Sequence, residues 1–139
     1  MSTTERPVLM DLDHLDITGY HDPEPLIPQL RDANLHRANT PHYGFIWRFR
    51  LGIGDAVPVL ALGVRDEVGA LIWYEGDDRF VPADGLNADY VDYWTLSGHE
   101  YPAWPRSEVP IDQVYAAAEE FIRTHRRPTC VEWVVTEGW

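Results

Sequence analysis

Residues 108–128, EVPIDQVYAAAEEFIRTHRRP, place Ile111, Val114, Tyr115, Ala118, Phe121 and Ile122 on one stripe at the helical period. A helix that is apolar on one side only needs a second layer to cover that side. The rest of the chain supplies β-segments. From Phe45 to Leu51, Phe45, Trp47, Phe49 and Leu51 share one face of a strand, and Arg48 and Arg50 take the other. VPVLALGV (57–64) and GALIWYEG (69–76) form a hairpin through RDEVG. RFVPADG (79–85) is a short strand ending in a turn, DYVDYWTLSG (89–98) a further strand, and TCVEWVV (129–135) the closing one.

PVLMDLDH (7–14) is expected to be the first strand, with residues 1–6 frayed. A first helix follows within DPEPLIPQLRDANLHRAN, its stripe made by Leu26, Ile27, Leu30, Ala33 and Leu35, and Pro28 confines its start to the first turn. In the second helix Pro110 and Asp112 suit the N-terminal end, Arg123, His125, Arg126 and Arg127 suit the C-terminal end, and Pro128 stops it. The expectation is a single α+β domain over residues 1–139. It comprises a curved, mainly antiparallel sheet of five or six strands and two helices, the second packed on one sheet face.

With 45% apolar residues the chain has a core to bury despite a net charge of −12. All 11 of its basic residues are arginines, set against 23 acids. That balance opposes direct binding of nucleic acid or of anionic membranes and favours a basic protein partner. One cysteine, Cys130, excludes an internal disulfide and reads as a small buried or half-buried side chain beside structural pairs made by Arg127 and Glu132. The N-terminus lacks the basic start and apolar stretch of a signal peptide, and the longest apolar run, Ala56 to Val64, is too short to span a bilayer. A cytoplasmic location is expected.

Catalytic patterns are sparse. The six histidines show no His-Glu-x-x-His spacing, and none of Ser2, Ser97 and Ser107 sits in a nucleophile elbow. GIGDA (52–56) precedes a strand rather than a helix, so it reads as a turn and not a phosphate cradle. The pattern of a zinc deaminase is missing. No enzyme activity, cofactor or metal is implied by these patterns. The alternative is a metal- or small-molecule-binding domain using Asp11, Asp13 and His14. The stretch with most surface character runs from Glu75 to Glu100, with Tyr74 at its edge and Tyr101 and Trp104 just beyond. It carries Glu75, Asp77, Asp78, Asp84, Asp89, Asp92 and Glu100, interleaved with Tyr74, Tyr90, Tyr93, Trp94, Tyr101 and Trp104. Carboxylates steer and aromatics anchor, so Glu75, Asp77, Asp78, Asp84, Asp89, Asp92, Trp94, Glu100, Tyr101 and Trp104 are the expected partner-binding residues.

An ordered set of short motifs spans about residues 57–135: Leu60 with Gly63–Val64, Gly69–Leu71, Glu108–Ile111, Glu120–Phe121, then Arg127, Pro128, Val131 and Trp133. In this order and spacing they resemble the Imm-one family of bacterial polymorphic-toxin immunity proteins. The resemblance implies a protein that binds a cognate toxin domain, frequently a nucleic-acid deaminase, and so protects the producing cell. An acidic, aromatic-bearing surface would then cover a basic substrate site. The family often has glycine where this chain has RTHRRP, so either His125 takes the glycine's place or the helix is capped differently.

Overall fold

The computed structural model describes residues 9, 13–36, 44–54 and 56–136. The elements are β1 (His14–Asp16), α1 (Ile27–His36), β2 (Gly44–Arg50), β3 (Val59–Val64), β4 (Val68–Glu75), β5 (Asp78–Pro82), β6 (Tyr93–Trp94), β7 (Glu108–Pro110), α2 (Ile111–Thr124) and β8 (Trp133–Thr136). Among the described residues they build an α+β fold on one sheet of eight strands. The main path runs β1-β2-β3-β4-β5-β8, while β6 pairs with β2 and β7 with β4. The sheet is mixed, because β1 and β6 each run parallel to β2 and the remaining pairs are antiparallel.

The strand count exceeds the five or six expected because β1, β6 and β7 are two or three residues long. Such short strands carry no alternation to read. The expected strand over 89–98 shrinks to Tyr93–Trp94, with an isolated bridge Val91–Ala103 before it and a second bridge from Trp94 itself to Glu100. The first strand starts at His14, where the expected one ended, and Leu9 lies in a 3-10 turn. The expected frayed segment 1–6 lies outside the described residues. TCVEWVV becomes extended only at Trp133.

Trp47, Phe49, Leu60, Leu62, Leu71 and Trp73 point from one sheet face into the main core. Both helices lie over it. α1 contributes Ile27, Leu30 and Ala33, while Leu35, expected on the stripe, is 73% exposed. α2 buries Val114, Tyr115, Ala117, Ala118, Phe121 and Ile122, and the Phe121 ring meets Trp73 edge-on at 5.2 Å. Each large side chain buried this way stabilises the fold by about 1.5–3 kcal/mol, so this face supplies most of the stability. α2 ends at Thr124, before Pro128. His125 adopts the left-handed conformation (φ 58°), and its N–H bonds to Phe121 O at 2.8 Å. His125 therefore occupies the C-terminal position at which glycine is usual, and proline is not the stop.

The opposite, helix-free face carries a smaller core of Ile46, Ala61, Ala70, Ile72, Tyr93 and Ala103. The covering layer is the irregular chain from 86 to 107. It is fastened at Glu108, which is 3% exposed. Arg65 grips the Glu108 carboxylate from two nitrogens, Nε to Oε2 at 2.8 Å and Nη2 to Oε1 at 2.9 Å, and Tyr93 OH donates to Oε2 at 2.7 Å. Tyr93 reaches that point because its ring packs closely against Gly44 and Gly63. A Cβ at either glycine would come within 2.6 Å of the ring.

Removing one partner of a buried charge pair costs more than the pair contributes. Glu108→Ala should therefore destabilise the fold by about 2–4 kcal/mol in urea unfolding. Glu119→Ala, which breaks an exposed pair with Arg123 at 3.7 Å, should change stability by no more than about 0.5 kcal/mol. Equal midpoints for the two variants would contradict the role given to Glu108.

Candidate functional site

The expected partner-binding residues fall on three parts of the surface. Glu75 and Asp78 face each other across the end of the β4–β5 hairpin, and Gly76 and Asp77 make its tight turn, with φ 62° at Gly76. Three exposed carboxylates thus sit on one rigid tip. Glu75 also accepts a hydrogen bond from Trp73 Nε1 at 2.9 Å, so it leans to the helix side. There it borders a cavity of about 640 Å³ with Trp73, His125, Arg127, Pro128 and Trp133.

Asp84, Asp89, Asp92 and Glu100 are exposed on the chain that follows β5 and covers the helix-free face. Asn87 holds that chain in shape. Its Nδ2 donates to Asp89 O at 2.8 Å and to Trp104 O at 2.9 Å, and its Oδ1 accepts from Glu108 N at 2.9 Å. The composition of the stretch gave no sign of this clamp, although an asparagine among loop residues is a familiar carrier of such bonds.

Tyr101 and Trp104 are half-buried over the small core, and each is capped by a cation. Arg48 lies 5.0 Å from the Tyr101 ring centre and Arg79 4.9 Å from that of Trp104. Exposed Tyr90 packs beside Trp104 at 5.9 Å. Trp94 is placed elsewhere. It pairs with Phe45 in register, and Phe45 packs against the helix-side core, so Trp94 belongs to the opposite face from Tyr101 and Trp104. The arginines were legible in one respect: the alternation through β2 sends Arg48 and Arg50 away from Trp47 and Phe49. The meeting of Arg48 with Tyr101 depends on a distant part of the chain and has no local signal.

Of the alternative cluster, Asp11 lies outside the described residues. Asp13 accepts from Ser97 Oγ at 2.5 Å, and Ser97 Oγ also contacts His99 Nδ1 at 2.9 Å. Ser97 thus stands between the carboxylate and the imidazole. That order differs from a catalytic relay, in which histidine bridges the acid and the nucleophile. Burial holds the His14 imidazole below the usual histidine range, with Arg48 and Arg50 adding to the effect. Among the described residues no group of three or more His, Cys, Asp or Glu is placed to hold a metal ion.

A family profile described as immunity protein Imm1 matches residues 12–135. The chain belongs to the Imm1 family of immunity proteins. The match reaches back through the N-terminal third, where only the order of elements suggested it. No curated protein matches the chain. Among the described residues no helix is long and apolar enough to cross a membrane.

In this Imm1 protein the motif Arg-Pro-x-x-Val-x-Trp is a packing device. Arg127 lies over the Phe80 ring at 4.8 Å, Pro128 and Val131 are buried, and Trp133 Nε1 bonds to Pro128 O at 2.8 Å. Glu120 on α2 ties the segment down by accepting from Thr129 N at 2.8 Å, Thr129 Oγ1 at 2.7 Å and Cys130 N at 3.1 Å. Burial works against the ionised carboxyl, but these bonds outweigh it and hold Glu120 below the usual glutamate range. The tie is therefore complete above the ordinary glutamate pKa and is lost as pH falls through the lowered one.

Cys130, expected to be buried or half-buried, is exposed. It falls in the bend before β8 rather than on a strand that would turn it inward. Partial burial of the thiol and the nearby Glu120 carboxylate push its pKa up to about 11. A raised thiol pKa means little thiolate near neutrality, so Cys130 is a poor nucleophile. Iodoacetamide labelling should rise with a midpoint near about 11. Glu120→Gln should lower that midpoint only in part, since burial is the larger cause. Rapid labelling at pH 7 in the native protein would overturn this assignment.

Proposed function

We propose that this immunity protein acts in the cytoplasm of the producing cell, binds a cognate toxin and neutralises it without catalysis. The toxin's active domain is a nucleic-acid-targeting, deaminase-type domain whose substrate site is basic. Membership of the Imm1 family, matched over residues 12–135, carries the toxin partner. The surface chemistry supports the rest. A protein of net charge −12 attracts a basic domain over long range, and carboxylates stand where phosphates would otherwise lie.

The interface is formed by the helix-free face and its rim. Tyr101 and Trp104 are the anchors, and Asp77, Asp78, Asp84, Asp89, Asp92 and Glu100 are the steering charges around them. Trp94, Glu75 and Asp78, the register partner of Glu75, face the helix side; Trp94 and Glu75 are the members least suited to this surface, and Asp78 acts on it only from the rim. Aromatics already held by packing bind with little loss of side-chain freedom, as interface anchors do.

Co-expression with the toxin encoded beside it should rescue growth and yield a co-purifying 1:1 complex. Reversing Asp77, Asp78, Asp89 and Asp92 to arginine should slow association roughly 10-fold or more at low salt and flatten its salt dependence. An on-rate unchanged by the four reversals would move the interface off this face.

A further inference from the structure

Among the described residues, a cluster of hydrogen-bond donors in this acidic protein lies within the proposed interface. Arg48, Arg50, Tyr74 and Tyr101 border a groove of about 360 Å³ on the helix-free face, with Val57 and Val59 among its apolar lining. Arg48 is held against the Tyr101 ring, and Arg50 Nη2 donates to Gly54 O, so both guanidinium groups are fixed in place. Tyr74 and Tyr101 share a hydrogen bond of 3.0 Å between their hydroxyls. One hydroxyl donates in that bond, which leaves the other's proton free to point into the groove. Burial, and then the Tyr74 hydroxyl, raise the Tyr101 pKa, so the phenol stays protonated.

Among the described residues, the neighbouring groups do not use these donors up. His14 and Asp16 are the register partners of Arg48 and Arg50. His14 is held below its usual range and adds little charge at neutral pH. Asp16 Oδ1 accepts from Thr18 N, Thr18 Oγ1 and Gly52 N, and Asp13 is bonded to Ser97. Among the described residues neither Arg48 nor Arg50 forms an ion pair. Arg79, the register partner of Tyr74, adds a third cation at the margin.

We infer that this groove is a socket for one aspartate or glutamate side chain of the toxin, a deeper reading that rests on the proposed immunity function. The donor set favours a carboxylate, which accepts from two guanidinium groups and a phenol together, while the valines receive its methylene stem. The groove is roomy enough to admit such a side chain together with part of the segment that carries it. The net charge of −12 disfavours an acidic group over most of the surface, so one partner carboxylate amid a basic surface fixes orientation and excludes partners that lack it.

The test uses the full-length protein and the toxin domain encoded beside it. Arg48→Gln/Arg50→Gln should weaken the complex roughly 30-fold or more, mainly through faster dissociation, while Arg123→Gln on the far side of α2 leaves it unchanged. Arg48→Lys/Arg50→Lys keeps the charge, loses the planar fork and should fall between. In the wild-type protein, where no variant can misfold, the Arg48 and Arg50 side-chain nitrogen resonances should shift on toxin binding. An Asp→Arg or Glu→Arg change in the toxin should restore affinity for Arg48→Glu. Full affinity of the double glutamine variant, or unshifted resonances in a formed complex, would remove the socket and leave the immunity reading intact. Millimolar inorganic phosphate shifting the same resonances without competing with the toxin would reassign the groove to a free anion. No complex with the wild-type protein would remove both.

Discussion

The Glu108 carboxylate is the point on which the helix-free half of the molecule depends. It is a buried charge held by a two-nitrogen grip from Arg65 and by the Tyr93 hydroxyl. These ties join the β3–β4 turn, β6 and β7 around one group. Its own backbone does as much, since Glu108 N donates to Asn87 and Glu108 O accepts from Leu86 N. The next residue, Val109, is buried in the helix-side core. One step along β7 therefore links the two cores, and the covering chain from 86 to 107 is fastened where the sheet already has most support.

That fastening separates two jobs. The helix side buries the large aliphatic and aromatic residues and carries the stability. The helix-free side has a small core, half-exposed aromatics and the charged groups. Charge there is not uniform: carboxylates occupy the hairpin tip and the covering chain, while Arg48, Arg50 and Arg79 rise from the sheet beneath. An acidic rim around a cationic floor is more selective than a uniformly acidic surface, because the partner must match both signs in one arrangement.

The α+β class, α2, the β3–β4 hairpin and the facing of β2 were legible in the sequence, because each is a long segment with strong periodicity. The short strands were not. β6 is two residues whose pairing with β2 is a tertiary event, and β7 is three residues attached to a helix start. Leu35 fitted the helical stripe, yet it lies at the last turn of α1 and is open to solvent. His125 ends α2 in a conformation that sequence statistics reserve for glycine, and its ring is tied into the fold: it stacks on His21 at 4.6 Å, and its Nε2 contacts Tyr20 O at 2.8 Å. For the candidate site, the acids and aromatics could be counted along the chain. Their division between two faces, and the arginines beneath Tyr101 and Trp104, required the register.

If the acidic tip and covering chain form the proposed interface, the tight turn at Gly76–Asp77 and the Asn87 clamp also bear on how quickly a partner is captured. Both hold the backbone that carries the acids before any partner arrives. Flexible acidic tails must surrender backbone freedom when they bind, at about 1–2 kcal/mol for each residue ordered. Here the turn and the hydrogen bonds of Asn87 already order part of that backbone. On the proposed interface, an encounter guided by charge would proceed to the docked state without waiting for a loop to fold, which suits an immunity protein that must capture its toxin quickly.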